Sequence, residues 1–513
     1  MRAIIGFRKL IGSSTGLRIN LFANYLGQGW TAVANIIFIP AYIHYLGVES
    51  FGLVGVFAII LSAASLLDGG LTPTLNRELA TFHAGGHSVG YARDLVRTTN
   101  TLCIIVFAGM CLVGLLLAPL LSRYWIGARG LPTATIVQSL FLMIVVAALR
   151  IIEGVQRGAL LGLHRHVLLN LLSIVTVTLR AGGVIVPISL VSATPQMFFA
   201  WQAGISGLSV ISFALCVHVS LPRTDGKARF DPAIVRKLRD FAGGVLGATA
   251  LAVFLTQADK ILLVKLISLE QFSAYALATA IAGGLYQLVA PVSQSYYPVL
   301  TSQIAKGEEL LAATYHQGSQ IVAATIAPPA AILVLFARPI LDMWTGNPFL
   351  ATTAAPILSL LALGSLLHCF MYMPYMLQLA AGWSGLALRM NALAVLIVFP
   401  ALLLIVPRAG MIGAALVWVV LNGVALVVTI RIMHRRLLPG EMRTWYVHDV
   451  LLPACASFTV AGLCRFAFPA TMPFLVRLFA LMLACVVTLV AGLLASSLAR
   501  QAIAGMFVRK RIA

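Results

Sequence analysis

Runs of roughly 20 mostly apolar residues alternate with short polar connectors along the 513-residue chain, the spacing expected where α-helices cross a hydrocarbon core roughly 30 Å thick. This pattern predicts spans at residues 20–42, 51–71, 101–121, 134–152, 167–189, 196–218, 241–263, 271–293, 317–340, 353–379, 387–406, 411–431, 448–468 and 474–498. The expected fold is an all-α integral membrane protein of about 14 transmembrane helices, with strands nowhere required. Basic residues Arg2, Arg8, Lys9 and Arg18 precede the first run. That run is long, carries Asn24, Gln28 and Asn35, and lacks a convincing small-residue cleavage site. It reads as a retained helix, not a signal peptide.

Charge on the connectors orients these helices, because cytoplasmic loops are enriched in Lys and Arg. With the N-terminus inside, the inner segments hold Arg2 to Arg18, Arg77 with Arg93 and Arg97, Arg150 to Arg165, Arg223 to Arg239, Lys306, Arg389, Arg431 to Arg443 and Arg500 to Arg511. About 26 of the 35 basic residues then lie inside, about 8 outside and one, Arg180, within a helix, so both termini are predicted to be cytoplasmic. The longest polar connector, Leu221 to Phe241, reads as a cytoplasmic linker between two six-helix lobes. The expected organisation is an N-terminal lobe over 1–218, a linker over 219–240, a C-terminal lobe over 241–432, and two further helices with a cytoplasmic tail over 433–513.

Composition narrows the function. Apolar residues make up 60% of the chain and charged residues 10%, far from the usual soluble balance of roughly half and a quarter. A water-soluble domain is excluded. The net charge of +20 is spread among loops and forms no single stripe, which is the membrane pattern and not that of a nucleic-acid partner. Seven cysteines form no C-x-x-C pair and fall in apolar segments, so they are expected to pack, with neither a metal site nor a disulfide framework and no cofactor. No connector reaches the roughly 50 residues of an extramembrane catalytic domain. A membrane-embedded glycosyltransferase, polymerase or ligase is therefore the least favoured class.

A duplication is visible at an offset of about 219 to 221 residues. Phe22-Ala23 corresponds to Phe241-Ala242, Leu46 to Gly52 (LGVESFG) to Ile267 to Ser273 (ISLEQFS), and Gly162 to Asn170 to Gly382 to Asn391. Six helices per copy make the two copies parallel, with helices thirteen and fourteen outside the repeat.

The succession YLGVESFG (Tyr45 to Gly52), LLDGGLTPTLNRELA (Leu66 to Ala80), RGALLGLHRHVLLN (Arg157 to Asn170) and QADKILLVKLISLEQFSAYALATA (Gln257 to Ala280) resembles the polysaccharide transporter family. These are the O-antigen and exopolysaccharide flippases of the multidrug/oligosaccharidyl-lipid/polysaccharide exporter superfamily. The resemblance implies two six-helix lobes around a central cavity in the bacterial inner membrane. It also implies flipping of undecaprenyl-diphosphate-linked oligosaccharide from the cytoplasmic to the periplasmic leaflet. The implied partners are that glycolipid, membrane lipids and other polysaccharide-assembly proteins. The first helix lacks the acidic residue on which the drug-exporting branch commonly relies, which makes cation-coupled drug export the alternative.

An anionic diphosphate needs cationic donors at membrane depth, and arginine suits it because its fork grips phosphate oxygens bidentately. Arg180 lies about 13 residues into the fifth predicted helix, roughly 20 Å from its cytoplasmic end, where an uncompensated charge costs at least about 2.5 kcal/mol. It either contacts cargo or forms a salt bridge between helices, with Asp259 a conceivable acceptor. Asp259 and Lys260 are adjacent and so are expected on different faces. Lys260 either snorkels or serves transport, while Asp259 pairs with a base or takes up a proton. Arg150, Glu153 and Arg157 line one face at the cytoplasmic end of the fourth predicted helix, as a diphosphate-capturing stripe or a solvated end. Asp68 and Arg77, with Glu78, form either a gating network or ordinary interface charges. Gly243, Gly244, Gly247, Pro291 and Pro328-Pro329 are candidates for close packing or bending. Tyr42, Tyr45, Trp125 and Trp344 are expected in an interfacial belt.

Overall fold

The computed structural model describes residues 29–31, 33–68, 70–222, 228–306, 310–469 and 471–496, with backbone alone for 237–246 and 248. Expectations for residues 1–28, Arg223 to Lys227, the basic run from Arg500, and the packing at Gly243 and Gly244 lie outside the described residues. Among the described residues every regular element is helical. In chain order these are α1 (Ile39–Leu46), α2 (Val48–Ala64), a 3-10 turn (Ser65–Asp68), α3 (Leu71–His83), α4 (Val89–Tyr124), α5 (Thr133–Gly162), α6 (His166–Ala181), α7 (Ile185–Leu190), α8 (Pro195–Ser220) and α9 (Pro232–Leu266). There follow α10 (Leu269–Lys306), α11 (Leu311–Leu335), α12 (Ala337–Thr345), α13 (Pro348–Phe370), α14 (Tyr372–Ala380), α15 (Gly385–Leu437), α16 (Met442–Thr444), a π segment (Trp445–Leu451), α17 (Leu452–Phe466) and α18 (Phe474–Ala495).

Among the described residues 11 helices are long and apolar enough to cross a membrane, so the chain is a multi-pass membrane protein. One of them, α15, is two helices joined at a kink: Gly410 adopts φ 55 and ψ −139, outside the helical region, at the boundary expected between residues 406 and 411. Local chemistry sets several starts. Thr194-Pro195, Asp231-Pro232 and Asn347-Pro348 each place a capping side chain before a proline, and the caps accept from the backbone N–H of Met197, Ala233 and Leu350. Such a cap satisfies an orphan donor, and proline loses nothing at the first helical position.

The chain divides after Ser273 into two compact units. In the first, α5 is the central helix, packed by α2, α3, α4 and α8. Its glycines permit this approach: a Cβ on Gly158 would stand 2.9 Å from both the methyl and the carbonyl oxygen of Thr72 at the start of α3. Around Gly247, by contrast, nothing among the described residues stands within 4 Å of where a Cβ would be. In the second unit α11 is central, bearing Val322, Ala323, Ile326, Ala327 and Ala330 against Leu366, Phe370 and Met373. Gly492 of α18 seats against Pro328 and Ser457, with 2.7 Å left for a Cβ, which binds the last two helices to α11. The exterior is apolar, as lipid requires: Leu115, Leu116, Val219 and Phe466 are exposed. The cysteines divide accordingly. Cys103 and Cys369 are buried, whereas Cys455 and Cys485 are exposed, so packing does not account for all seven.

Two of the duplicated sequence segments have matching local structure. Gly47 separates α1 from α2, and Ile267-Ser268 separates α9 from α10, both as abrupt helix-to-helix turns. At the α5–α6 turn His164 takes φ 56, and at the α14–α15 turn Gly382 takes φ 68. Each turn closes with the same hydrogen bonds, Arg165 N–H to Leu160 carbonyl and Trp383 N–H to Gln378 carbonyl, the left-handed helix end that glycine favours.

Candidate functional site

Glu153 sits nine residues before the end of α5, about 13 Å inside that helix at 1.5 Å per residue. Arg180 sits 14 residues after the start of α6, about 21 Å along. Because α5 and α6 are joined by a tight turn, the two side chains meet between the helices, well back from that turn. The guanidinium grips the carboxylate with two N–H groups, NH1 donating to Oε1 at 3.3 Å and NH2 to Oε2. Both residues are 2% exposed. Arg180 therefore pairs with Glu153, not with Asp259. The sequence ends the fourth span at residue 152, at the first charges. The helix itself continues to Gly162, so Arg150, Glu153 and Arg157 stand before its end.

Two further arginines flank the same carboxylate. Arg157 NH1 stands 3.7 Å from Oε1 and Arg150 NH1 4.0 Å from Oε2, and their side chains are 39% and 32% exposed. Three guanidiniums around one carboxylate carry a net charge of +2. The Nε–H groups of Arg150 and Arg180 have no acceptor among the described residues. Glu153 thus fixes one fork, while two flanking arginines retain unshared charge and access.

Arg180 is positioned by the way α6 ends. Gly182 and Gly183 interrupt the helix, leaving carbonyls of the final turn without backbone donors. Trp201 Nε1 donates to the Leu179 carbonyl at 2.8 Å, Gln202 Nε2 to that of Arg180 at 3.0 Å, and the Tyr42 hydroxyl to that of Ala181 at 2.5 Å. Tyr42 is buried, so it is not part of an interfacial belt. Its role is legible only once α1, α6 and α8 are side by side.

The remaining expected residues do not join this cluster. Asp68 Oδ1 accepts from the Thr72 hydroxyl at 2.7 Å and the Thr72 N–H at 3.2 Å, securing the start of α3. Arg77 pairs with Glu78 at 2.9 Å, and Glu78 also meets His87 Nε2 at 3.1 Å and the Tyr91 hydroxyl at 3.2 Å. Asp68 and Arg77 therefore belong to two separate groups. Asp259 and Lys260, expected on different faces, form a mutual pair at 3.2 Å, and the ammonium also donates to the Thr256 carbonyl at 2.5 Å. The flexible lysine stem bends back to its neighbour. His83 stacks on His164 at 4.7 Å, and burial, aided by the nearby charges of His164 and Arg165, holds its imidazole below the ordinary range.

A second buried ionic group lies in the second unit. His316 on α11 places Nδ1 2.5 Å from Asp449 Oδ2 and Nε2 3.0 Å from Glu441 Oε2. Gln320 Nε2 donates to Asp449 Oδ1 at 2.9 Å, and Asp449 is fully buried. Asp449 lies in the π segment, an irregularity frequent at functional sites. The sequence holds no signal for this pairing beyond the individual polar residues. Among the described residues no group of three or more His, Cys, Asp and Glu is placed to hold a metal.

Residues 17–303 match the family described as "Polysaccharide biosynthesis protein", more than half of the chain. The chain belongs to that family. A comparison with curated proteins finds no match. Among solved structures, the chain is similar to "Lipid II flippase MurJ, inward closed conformation", at a TM-score of 0.66 and 11% identity over 96% of this chain and 100% of that one. It is also similar to an inward-facing "multidrug resistance MATE family transporter of the MOP superfamily", at 0.63 and 16% over 80% and 96%. At these identities the likeness establishes the fold, which is that shared by these two transporters.

Proposed function

We propose that the protein translocates undecaprenyl-diphosphate-linked oligosaccharide units from the cytoplasmic to the periplasmic leaflet of a bacterial inner membrane, serving O-antigen, capsule or exopolysaccharide assembly. In this reading fourteen helices form two six-helix lobes with two C-terminal helices and cytoplasmic termini, and the lobes alternate access without catalysing a reaction. The observation that carries it is the cluster of three arginines around Glu153 within membrane-length helices, in a member of a polysaccharide biosynthesis family.

Charge inside a bilayer is retained only where it is paired or lines a polar route. A lone structural pair would need one arginine; here three surround one carboxylate. The surplus suits a diphosphate, whose oxygens accept the paired N–H groups of a guanidinium fork. Arg150 and Arg157 carry the capture role, Arg180 the structural one with its free Nε–H directed to cargo, and Glu153 prevents the unloaded site from holding three unbalanced cations.

Expression in a bacterium lacking its own flippase is expected to restore surface polysaccharide, read by immunoblotting of the surface glycan. Absence of rescue at normal protein abundance, together with gradient-dependent dye efflux, would favour cation-coupled drug export, in keeping with the multidrug transporter of similar fold.

A further inference from the structure

A cavity of about 300 Å³ is lined by Arg93, Arg97, Asn100 and His218 together with Val96, Leu221 and Ala228. Its cationic groups are largely uncommitted. Arg93 donates Nε–H to the Pro222 carbonyl at 3.0 Å, which fixes the side chain and leaves its two terminal amino groups to the cavity. Arg97 and His218 have no ionic partner among the described residues. Asn100 accepts from Gln156 through Oδ1 at 2.6 Å, so its amide N–H groups remain as donors. The acidic groups nearby are engaged elsewhere: Asp94 accepts from the Arg229 backbone at 2.6 Å, and Asp231 caps α9.

Depth identifies the ligand class. The 36 residues of α4 span about 54 Å, well beyond a hydrocarbon core of roughly 30 Å. Its apolar stretch runs from Leu102 to Leu121. Arg97 stands about one and a half turns and Arg93 about two and a half turns before that stretch, and His218 lies in the last turn of α8. The cavity is thus at headgroup level, where basic pockets between membrane helices bind anionic lipid headgroups.

We propose that Arg93, Arg97, Asn100 and His218 form a phosphate-binding site at the membrane surface, occupied by the headgroup of an anionic phospholipid. Two guanidiniums, an amide and an imidazole converge on a hollow large enough for a phosphodiester, over an apolar floor that tolerates its glycerol. This site does not depend on what the protein transports.

The test is titration of the purified, delipidated full-length protein with phosphatidylglycerol or phosphatidylcholine, followed by native mass spectrometry. Phosphatidylglycerol is expected to bind preferentially. At about 1 kcal/mol per basic side chain near the surface, Arg97→Gln should weaken it about 5-fold and Arg93→Gln/Arg97→Gln about 25-fold. Arg123→Gln, at the far end of α4, should leave it unchanged. Arg97 is exposed, so the single variant keeps its fold and remains informative if the double variant does not. Inorganic pyrophosphate is the second probe. Binding of pyrophosphate without a lipid preference, lost in the same variants, assigns the site to a soluble phosphate and overturns the lipid assignment. Affinities for both ligands that are unchanged in Arg97→Gln, or weakened equally by Arg123→Gln, overturn the site itself.

Discussion

Glu153→Ala is expected to destabilise the protein by about 3 to 5 kcal/mol, the cost of stranding a buried charge whose partner is removed. The size follows from Arg180, which is 2% exposed and would lose the carboxylate its guanidinium grips. Loss of the carboxylate also leaves Arg150 and Arg157 repelling Arg180 across the vacated centre. Glu153→Gln should cost less, because one amide oxygen still accepts from the Arg180 fork. The informative comparison is the double variant Glu153→Ala/Arg180→Met. Replacing a buried pair by apolar groups is often neutral, so unfolding measured in detergent should return to within about 1 kcal/mol of the wild type. Glycan export should not return with it. Recovery of both stability and export would make the pair purely structural and remove Arg180 from the cargo path.

Asp449→Ala carries the second largest expected effect, a loss of about 2 to 3 kcal/mol, because hydrogen bonds to a charged group are the stronger kind. The variant leaves the Gln320 amide without its acceptor and frees His316 from one of its two carboxylates. The loss is smaller than at Glu153 because an imidazole can give up a proton and keep one contact, through Nε2, to Glu441. Asp449→Asn preserves a carbonyl acceptor and should recover about half of the loss. A double-mutant cycle with His316→Ala, read by thermal unfolding, is expected to give coupling of about 1 to 3 kcal/mol. Additive effects would mean that the ion pair does not hold the π segment to α11.

The helices were legible in the sequence because apolar run length is a strong and local signal. The break at Gly410 and the helix-to-helix turn after Leu46 fall where the pattern places them. Local hydropathy fails where charges compensate one another. It stops the fourth span at residue 152, although Glu153 lies well inside α5, since a window sees the cost of each charge and not its partner. Arg180 was recognisable as a residue needing compensation, but its acceptor lies 27 positions away on the neighbouring helix, and only packing selects Glu153 over Asp259. The same holds for Tyr42, Trp201 and Gln202, which secure the end of α6 and look in sequence like ordinary membrane aromatics and an amide. His316 and Asp449 are 133 positions apart, and no periodicity links them. Asp259 and Lys260 show the opposite limit: the helical face rule holds for backbone direction, and a long side chain overrides it.

What distinguishes a conduit for a diphosphate-bearing lipid from a merely well-packed bundle is movement of the glycolipid itself. The decisive measurement reconstitutes the purified chain in vesicles holding undecaprenyl-diphosphate-linked oligosaccharide in one leaflet and follows the appearance of the sugar on the other side with a membrane-impermeant lectin. Vesicles with the wild-type chain should expose the sugar well above protein-free vesicles, and Arg150→Gln/Arg157→Gln, which leaves the buried Arg180–Glu153 pair in place, should cut that rate at least roughly tenfold, the equivalent of about 1.4 kcal/mol. Exposure no faster than in protein-free vesicles, or undiminished in the double variant, would contradict the assignment of these arginines to the path of the diphosphate.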